Sequence, residues 1–139
     1  MGVASGRPRF EAELALRRFH LHPYFDSMVT LNECEAEENP IFLSAGRKIG
    51  CLKPHPYSIL TVVQEIGIPN RPCAYVGDVV DDMLAVQAAK KHLQILAIGF
   101  LVGHRKKKIE RESLIKAGAD LVIENPEQLL GLVSSPRPA

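Results

Sequence analysis

Three carboxylates, Asp78, Asp81 and Asp82, fall within five residues in the stretch Tyr75-Val-Gly-Asp-Val-Val-Asp-Asp82, with no Lys or Arg among them. At separations of about 5 Å and an effective dielectric near 20, each pair repels by roughly 3 kcal/mol. Either the three point apart into water or a positive group belongs between them. Two chemistries fit. Asp78 can cap a following helix, with Asp81 in the supporting position three residues on. Alternatively, Asp78 and Asp82, one helical turn apart, can serve a hard cation such as Mg²⁺, which binds one or two carboxylates together with waters and phosphate oxygens. Capping alone leaves Asp82 without a role.

Lys53 supplies a candidate positive group. It lies in Leu52-Lys-Pro-His-Pro56, where a following proline pushes Lys53 and His55 towards extended geometry. A lysine on such a stiff loop can balance the acids and meet a phosphate; the plainer reading is a solvated lysine beside a proline turn. Ser5-Gly6-Arg7 is the third candidate. A hydroxyl and free backbone N–H groups at a helix start make a small anion site, and a simple Ser cap is the competing reading.

The elements that would position these residues follow from periodicity. Pro8 opens a helix over 8–20, with Phe10, Leu14, Leu16 and Phe19 at roughly helical spacing. A brief strand is expected over 27–31. Residues 32–47, acidic and then irregular, read as a surface loop. A helix over 57–67 places Ile59, Leu60, Val63 and Ile66 on one face and ends at Gly67. Strands over 73–76, 93–101 and 121–123 alternate with helices over 81–91, 109–117 and 126–132. The pattern predicts an α/β fold, a Rossmann-like parallel sheet with helices on both faces, over residues 1–133, with a disordered tail over 134–139. Ligands of such sheets bind at the carboxyl ends of strands, where Asp78 falls.

The bulk properties narrow the function. The 139 residues are 46% hydrophobic and 24% charged, with a formal net charge of +1, so no global field draws the chain to nucleic acid or membrane. The one basic run, Arg105 to Lys108 with Arg111, brings no stacking aromatics and reads as a solvated loop. No apolar run approaches the roughly 20 residues of a membrane span. Cys34, Cys51 and Cys73 are odd in number and form no CxxC pair, which fits buried thiols in a reducing compartment. With no targeting pattern at the N-terminus, cytoplasmic is the default location. His20 and His22 have no further ligand at close spacing.

Taken in order, Ser5-Gly-Arg-Pro8, Lys53-Pro-His-Pro56 and Gly77-Asp-Val-Val-Asp-Asp82 resemble motifs II, III and IV of the haloacid dehalogenase (HAD)-like hydrolase superfamily. The 25-residue step from Lys53 to Asp78 and the tail AGADLVIENPEQLL are similar to that family as well. The resemblance implies a Mg²⁺-dependent phosphatase acting on a small phosphorylated metabolite. Ser5, with Gly6 beside it, would bind the phosphoryl group, and Lys53 would stabilise its charge and the nucleophile. Asp78 would hold the metal, Asp82 would position the metal's waters or Lys53, and Asp81 would be a helper.

One departure is large. The family's nucleophile and general acid lie in an Asp-x-Asp motif I, and none of the five aspartates here has that spacing. The cap segment that selects substrate is missing too. The resemblance therefore implies the C-terminal part of the core, truncated at the N-terminus and inactive alone, with self-association or completion by another segment expected. Two rivals remain: a non-catalytic phosphate- or metal-binding remnant acting by interaction, and an unrelated doubly wound module whose acids only cap a helix.

Overall fold

The computed structural model describes residues 1–45, 50–68, 70–101, 103 and 107–134. Five strands alternate with six helices among them: β1 (Gly2–Ala4), α1 (Arg9–Arg18), β2 (Ser27–Val29), α2 (Leu31–Ala45), α3 (Tyr57–Ile66), β3 (Cys73–Gly77), α4 (Val80–Ala89), β4 (Ile95–Phe100), α5 (Lys107–Lys116), β5 (Leu121–Ile123) and α6 (Glu127–Ser134). The α/β alternation is as the periodicity predicts. The strands divide into two parallel sheets, however: β1 pairs with β2, and β3-β4-β5 form the other.

Helix α3 joins the two sheets. It packs on β1 and β2 and also meets α4. Its buried residues Ile59, Val62 and Val63 follow helical spacing, and each contributes roughly 1.5–3 kcal/mol by leaving water. Ile59 belongs to the larger core, with Met83, Val86, Ala97, Leu101 and Leu114. Val62 belongs to a smaller core with Val29, Cys34 and Cys51. Leu60, expected on the buried face, is only half-buried, and Val62 takes that place. Gly67 closes the helix at φ 77°, a left-handed conformation that only glycine adopts freely.

The expected loop over 32–47 is a helix, α2, as far as Ala45; residues 46 and 47 lie outside the described residues. Of the glutamates that suggested a solvated loop, Glu35 and Glu37 are exposed on the helix, whereas Glu33 secures its start and Glu38 is buried. Glu33 accepts the Thr30 N–H at 2.7 Å and the Thr30 hydroxyl at 2.6 Å, and the Arg9 Nε–H donates to it at 2.8 Å. That is the reaching-back half of a capping box, written in the sequence as Thr30-x-x-Glu33. Cys34 and Glu38, one turn apart, are both buried, and Glu38 accepts the Cys51 N–H at 2.7 Å.

A stability prediction arises at this cap. Burial alone would raise the Glu33 carboxyl, but Arg9 and the Thr30 donors outweigh it and bring it down to about 2, from an ordinary 4.5. A depressed carboxyl stabilises the fold above its unfolded value and loses that contribution as pH falls through its folded value. Stability should therefore decline between pH 4.5 and about 2. Glu33→Ala should cost about 1–2 kcal/mol at neutral pH and flatten that acid limb in urea titrations.

The reading of the cysteines is met. Cys34 and Cys51 are buried free thiols and Cys73 is half-buried; burial pushes the Cys34 thiol up to about 11, which keeps it unreactive. The basic run reads as a solvated loop, but its Lys107, Lys108 and Arg111 lie on α5, where Lys107 and Arg111 both pair with Glu124; Arg105 and Lys106 lie outside the described residues. The tail over 135–139 also lies outside them, and Ser134 closes α6. No helix among the described residues is long and apolar enough to cross a membrane.

Candidate active site

Strand β3 delivers the acidic cluster. It is paired with β4 from Cys73 to Gly77, and the chain then turns into α4. Asp78 stands exposed at the strand's carboxyl end, Asp81 is exposed in the first turn of α4, and Asp82 in the same turn is 3% exposed. The two candidate capping residues, Asp78 and Asp81, do not cap. Val79 occupies the N-cap, and Asp82 at the third helical position accepts the Asp78 N–H at 3.1 Å and the Val79 N–H at 3.3 Å through Oδ2. The carboxylate that capping seemed to leave over is the one that secures the helix start.

The other oxygen of Asp82 meets the positive group. Lys53 Nζ donates to Asp82 Oδ1 at 2.5 Å, and the Tyr75 hydroxyl donates to the same oxygen at 2.9 Å. Lys53 also donates to the Tyr75 oxygen at 2.9 Å and to the Ala4 carbonyl at 3.2 Å. All three ammonium hydrogens thus have acceptors. The Asp82 carboxylate, with about four lone-pair sites, receives four donors. The charge crowding of the sequence is resolved here: one acid of the three is buried against a cation, and Asp78 and Asp81 face solvent. Neither of those two carboxylates meets a donor or cation among the described residues.

Lys53 ties the two sheets together, because its partners are the Ala4 carbonyl at the end of β1, Tyr75 in the middle of β3 and Asp82 in the first turn of α4. The Lys53-Pro54 bond is cis, and the lysine side chain is 18% exposed. Ser5 follows Ala4 directly. Its N–H donates to Val29 and its hydroxyl accepts the Arg7 N–H at 3.2 Å, a small turn at the β1 terminus. Open space surrounds Gly6. Ser5, Gly6, Lys53, Asp78, Asp81 and Asp82 therefore all stand at the carboxyl ends of the parallel strands. Of these, Lys53 and Asp82 are in direct contact, Ser5 is one residue from a Lys53 partner, and Asp78 and Asp81 line the solvent side.

Two site residues carried no role in the sequence. Tyr75 was visible as a polar-tipped aromatic in an apolar strand, two residues before Gly77 and so on the same face of β3. Gly77 is required by close approach: a Cβ there would stand 2.5 Å from Asp82 Cβ and 2.6 Å from its Cγ.

The charges of the anchor are mutually set. Burial works against the Lys53 ammonium, but Tyr75 and Asp82 outweigh it, and its pKa rises above the ordinary 10.5. Tyr75 is pushed up to about 12, by burial first and then by the Asp82 carboxylate, against the pull of Lys53. Both groups hold their protons more tightly folded than unfolded. Their contribution is complete below their unfolded values and is lost as pH rises through the folded ones. Alkaline unfolding should therefore begin near pH 10 and steepen towards about 12. Tyr75 accounts for roughly 2–3 kcal/mol of that loss. Tyr75→Phe should cost about 1 kcal/mol at neutral pH and make the alkaline limb of a circular-dichroism titration shallower.

The fold and the site define a class: a Rossmann-like α/β core whose charged residues gather where its parallel strands end. A family model for haloacid dehalogenase-like hydrolases matches residues 1–90, and the chain belongs to that family. It is 28% identical over 116 residues to a phosphoglycolate phosphatase of Xanthomonas campestris pv. campestris (strain 8004), covering 84% of this chain and 49% of the relative. It is 30% identical over 87 residues to a phosphoglycolate phosphatase of Xylella fastidiosa (strain 9a5c), covering 63% and 35%. The chain thus spans about half the length or less of these curated relatives.

Among solved structures, a HAD family hydrolase from Deinococcus radiodurans R1, with bound phosphate and sodium, superposes with a TM-score of 0.67 at 23% identity, over 96% of this chain and 51% of its own. A haloacid dehalogenase-like protein of unknown function from Agrobacterium tumefaciens str. C58 gives 0.67 at 20%, over 93% and 51%. At these identities the likeness is one of fold.

Proposed function

We propose that this chain carries the phosphate-holding part of a phosphate monoester hydrolase, with Lys53, Ser5 and Gly6 receiving the phosphoryl group. The observation that carries the reading is the fixed ammonium of Lys53, held by Asp82 and Tyr75 at the carboxyl ends of β1 and β3. Phosphoryl transfer asks mainly for positioning and for stabilised negative charge, which a preorganised lysine supplies. The relatives named as phosphoglycolate phosphatases support a small phosphorylated acid as substrate class, with phosphoglycolate the first compound to try. The bound phosphate of the Deinococcus relative is in keeping with this.

Mg²⁺ is the metal that the family implies. Among the described residues no three His, Cys, Asp or Glu side chains converge as a cage. Mg²⁺ does not need one, because it is held by one or two carboxylates with waters and substrate oxygens. Asp78, exposed and with no side-chain partner among the described residues, fits as the carboxylate this chain offers, and Asp81 beside it can hold a metal-bound water. Asp82 has its four donors and serves through Lys53. When bound, Mg²⁺ would neutralise charge on the phosphoryl oxygens. The chain's own residues do the rest: Lys53, exchanging its long 3.2 Å bond to the Ala4 carbonyl for the anion, fixes an oxygen of the phosphoryl group, and Ser5 Oγ with the Gly6 N–H offers further donors.

These 139 residues hold no Asp-x-Asp. Residues 1–139 should therefore bind phosphate and turn over phosphoglycolate little or not at all. Calorimetric titration with Mg²⁺ and inorganic phosphate tests the reading. Wild type should bind phosphate more tightly with Mg²⁺ present, and Asp78→Asn should lose that enhancement. An enhancement that survives Asp78→Asn would remove Asp78 from the metal site.

A further inference from the structure

We infer that the outward side of α1 is an interface between two copies of this chain, packed as an antiparallel helix pair about a twofold axis at Leu14. The helix is held to the fold along its inner side. Arg9 donates to the Met28 carbonyl of β2 at 2.7 Å and to Glu33 of α2 at 2.8 Å. Ala12, Glu13 and Leu16, on the same side at helical spacing, are half-buried. No residue of α1 is fully buried. On the other side Phe10 is 69% and Leu14 65% exposed. Four residues apart, they make one apolar stripe along the outside of the helix.

Exposed apolar side chains are common, so the stripe alone selects no occupant. The charges beside it do. Glu11 and Arg18 lie two turns apart on one flank of the stripe, with Leu14 near their midpoint. Arg7, Arg9 and Arg17 each pair with a glutamate of α1. Arg18 meets no carboxylate among the described residues. Glu11 accepts from Arg7 at 3.2 Å through Oε2, which leaves Oε1 for a second donor.

A second copy meets this layout when it runs the other way. A twofold axis through Leu14 sets that side chain on its own counterpart and brings Glu11 of each copy to Arg18 of the other, so one contact is made twice. On the opposite flank, Arg17 of each copy comes over the Phe10 ring of the other, where a guanidinium is favoured. A parallel pair would instead set Arg18 against Arg18 and Glu11 against Glu11, and like-charge repulsion opposes it. A uniformly acidic or basic partner would satisfy one end of the flank and be repelled at the other. The patch is thus complementary to itself. Because a twofold contact uses the same surface on both copies, it closes as a pair and does not extend into a filament.

Sedimentation equilibrium of residues 1–139, from low-micromolar to millimolar concentration, tests this. It reads association alone, so its outcome is independent of the phosphate reading. Wild type should follow a monomer–dimer equilibrium. Glu11→Lys and Arg18→Glu each make both charge contacts repulsive, and each should weaken the dimer by roughly tenfold. Mixed in equal amounts, the two variants should regain the wild-type affinity, because each supplies the charge that the other lacks. Leu14→Glu should abolish the dimer by setting two carboxylates face to face. If that variant does not fold, the mixing experiment decides the matter alone. A wild type that stays monomeric throughout would overturn the inference and leave the stripe to a different protein. A dimer that the variants leave unchanged would also overturn it, by placing the contact elsewhere, as would a mixture no tighter than either variant by itself.

Discussion

Asp82→Ala should be the most destabilising single substitution at the site, lowering stability by about 3–5 kcal/mol. The carboxylate is buried and serves four donors, among them the ammonium of Lys53, which is itself largely buried. Removing it leaves that cation without its counter-charge and frees the Asp78 and Val79 N–H groups at the start of α4. For a chain of this size the melting temperature should fall by roughly 10–20 °C. The account also predicts how the loss is restored. Replacing both partners, as in Lys53→Met with Asp82→Leu, removes the unpaired charge, and the double variant should be more stable than Asp82→Ala. Differential scanning calorimetry of the two single variants and the double one measures the coupling. A double variant no more stable than Asp82→Ala would show that the helix-start bonds, not the ion pair, dominate.

Gly77→Ala should come next, at about 2–4 kcal/mol. On most strands this exchange is mild, because alanine loses less backbone entropy on folding than glycine. Here the new methyl carbon would overlap the Asp82 side chain at 2.5–2.6 Å. Nothing flexible lies in the way, since Asp82 is fixed at both oxygens. Either Asp82 swings out and releases Lys53, or β3 shifts against β4. Hydrogen exchange distinguishes the two: release of Asp82 exposes the Asp78 and Val79 amides, whereas a strand shift exposes Tyr75 and Gly77.

How far the sequence carried the fold is clearest in its elements. Periodicity located α1, α3, α4, α5 and α6 and four of the five strands, β2 to β5, to within a few residues, because amphipathic spacing follows directly from which side of an element leaves water. It failed over α2, where four glutamates, Pro40 and Ser44 read as solvated loop. Composition points to a loop there, whereas the Thr30-x-x-Glu33 cap points to a helix start. Nor could local pattern show that Glu38 is buried, since its acceptor role depends on Cys51, 13 residues away.

The site was legible to a similar depth. The order of Ser5, Lys53 and the acidic cluster pointed to one edge of the fold, and that is where they stand. Which acid does what was not legible. Asp78, Asp81 and Asp82 are identical in chemistry and differ only in depth, which is fixed by the glycine at 77 that lets α4 approach β3. Tyr75 escaped notice because its importance lies in a hydroxyl reaching Lys53 and Asp82, neither of which its neighbours in sequence announce.

The central claim is that Lys53, fixed by Asp82 and Tyr75, is the group that receives phosphate. The direct measurement is the affinity of residues 1–139 for inorganic phosphate, followed by phosphorus NMR for wild type and for Lys53→Met. The account predicts saturable binding by wild type and a loss of roughly tenfold or more in the variant, as expected for a charge-assisted hydrogen bond to an anion. Equal phosphate affinity in the two folded proteins would contradict it.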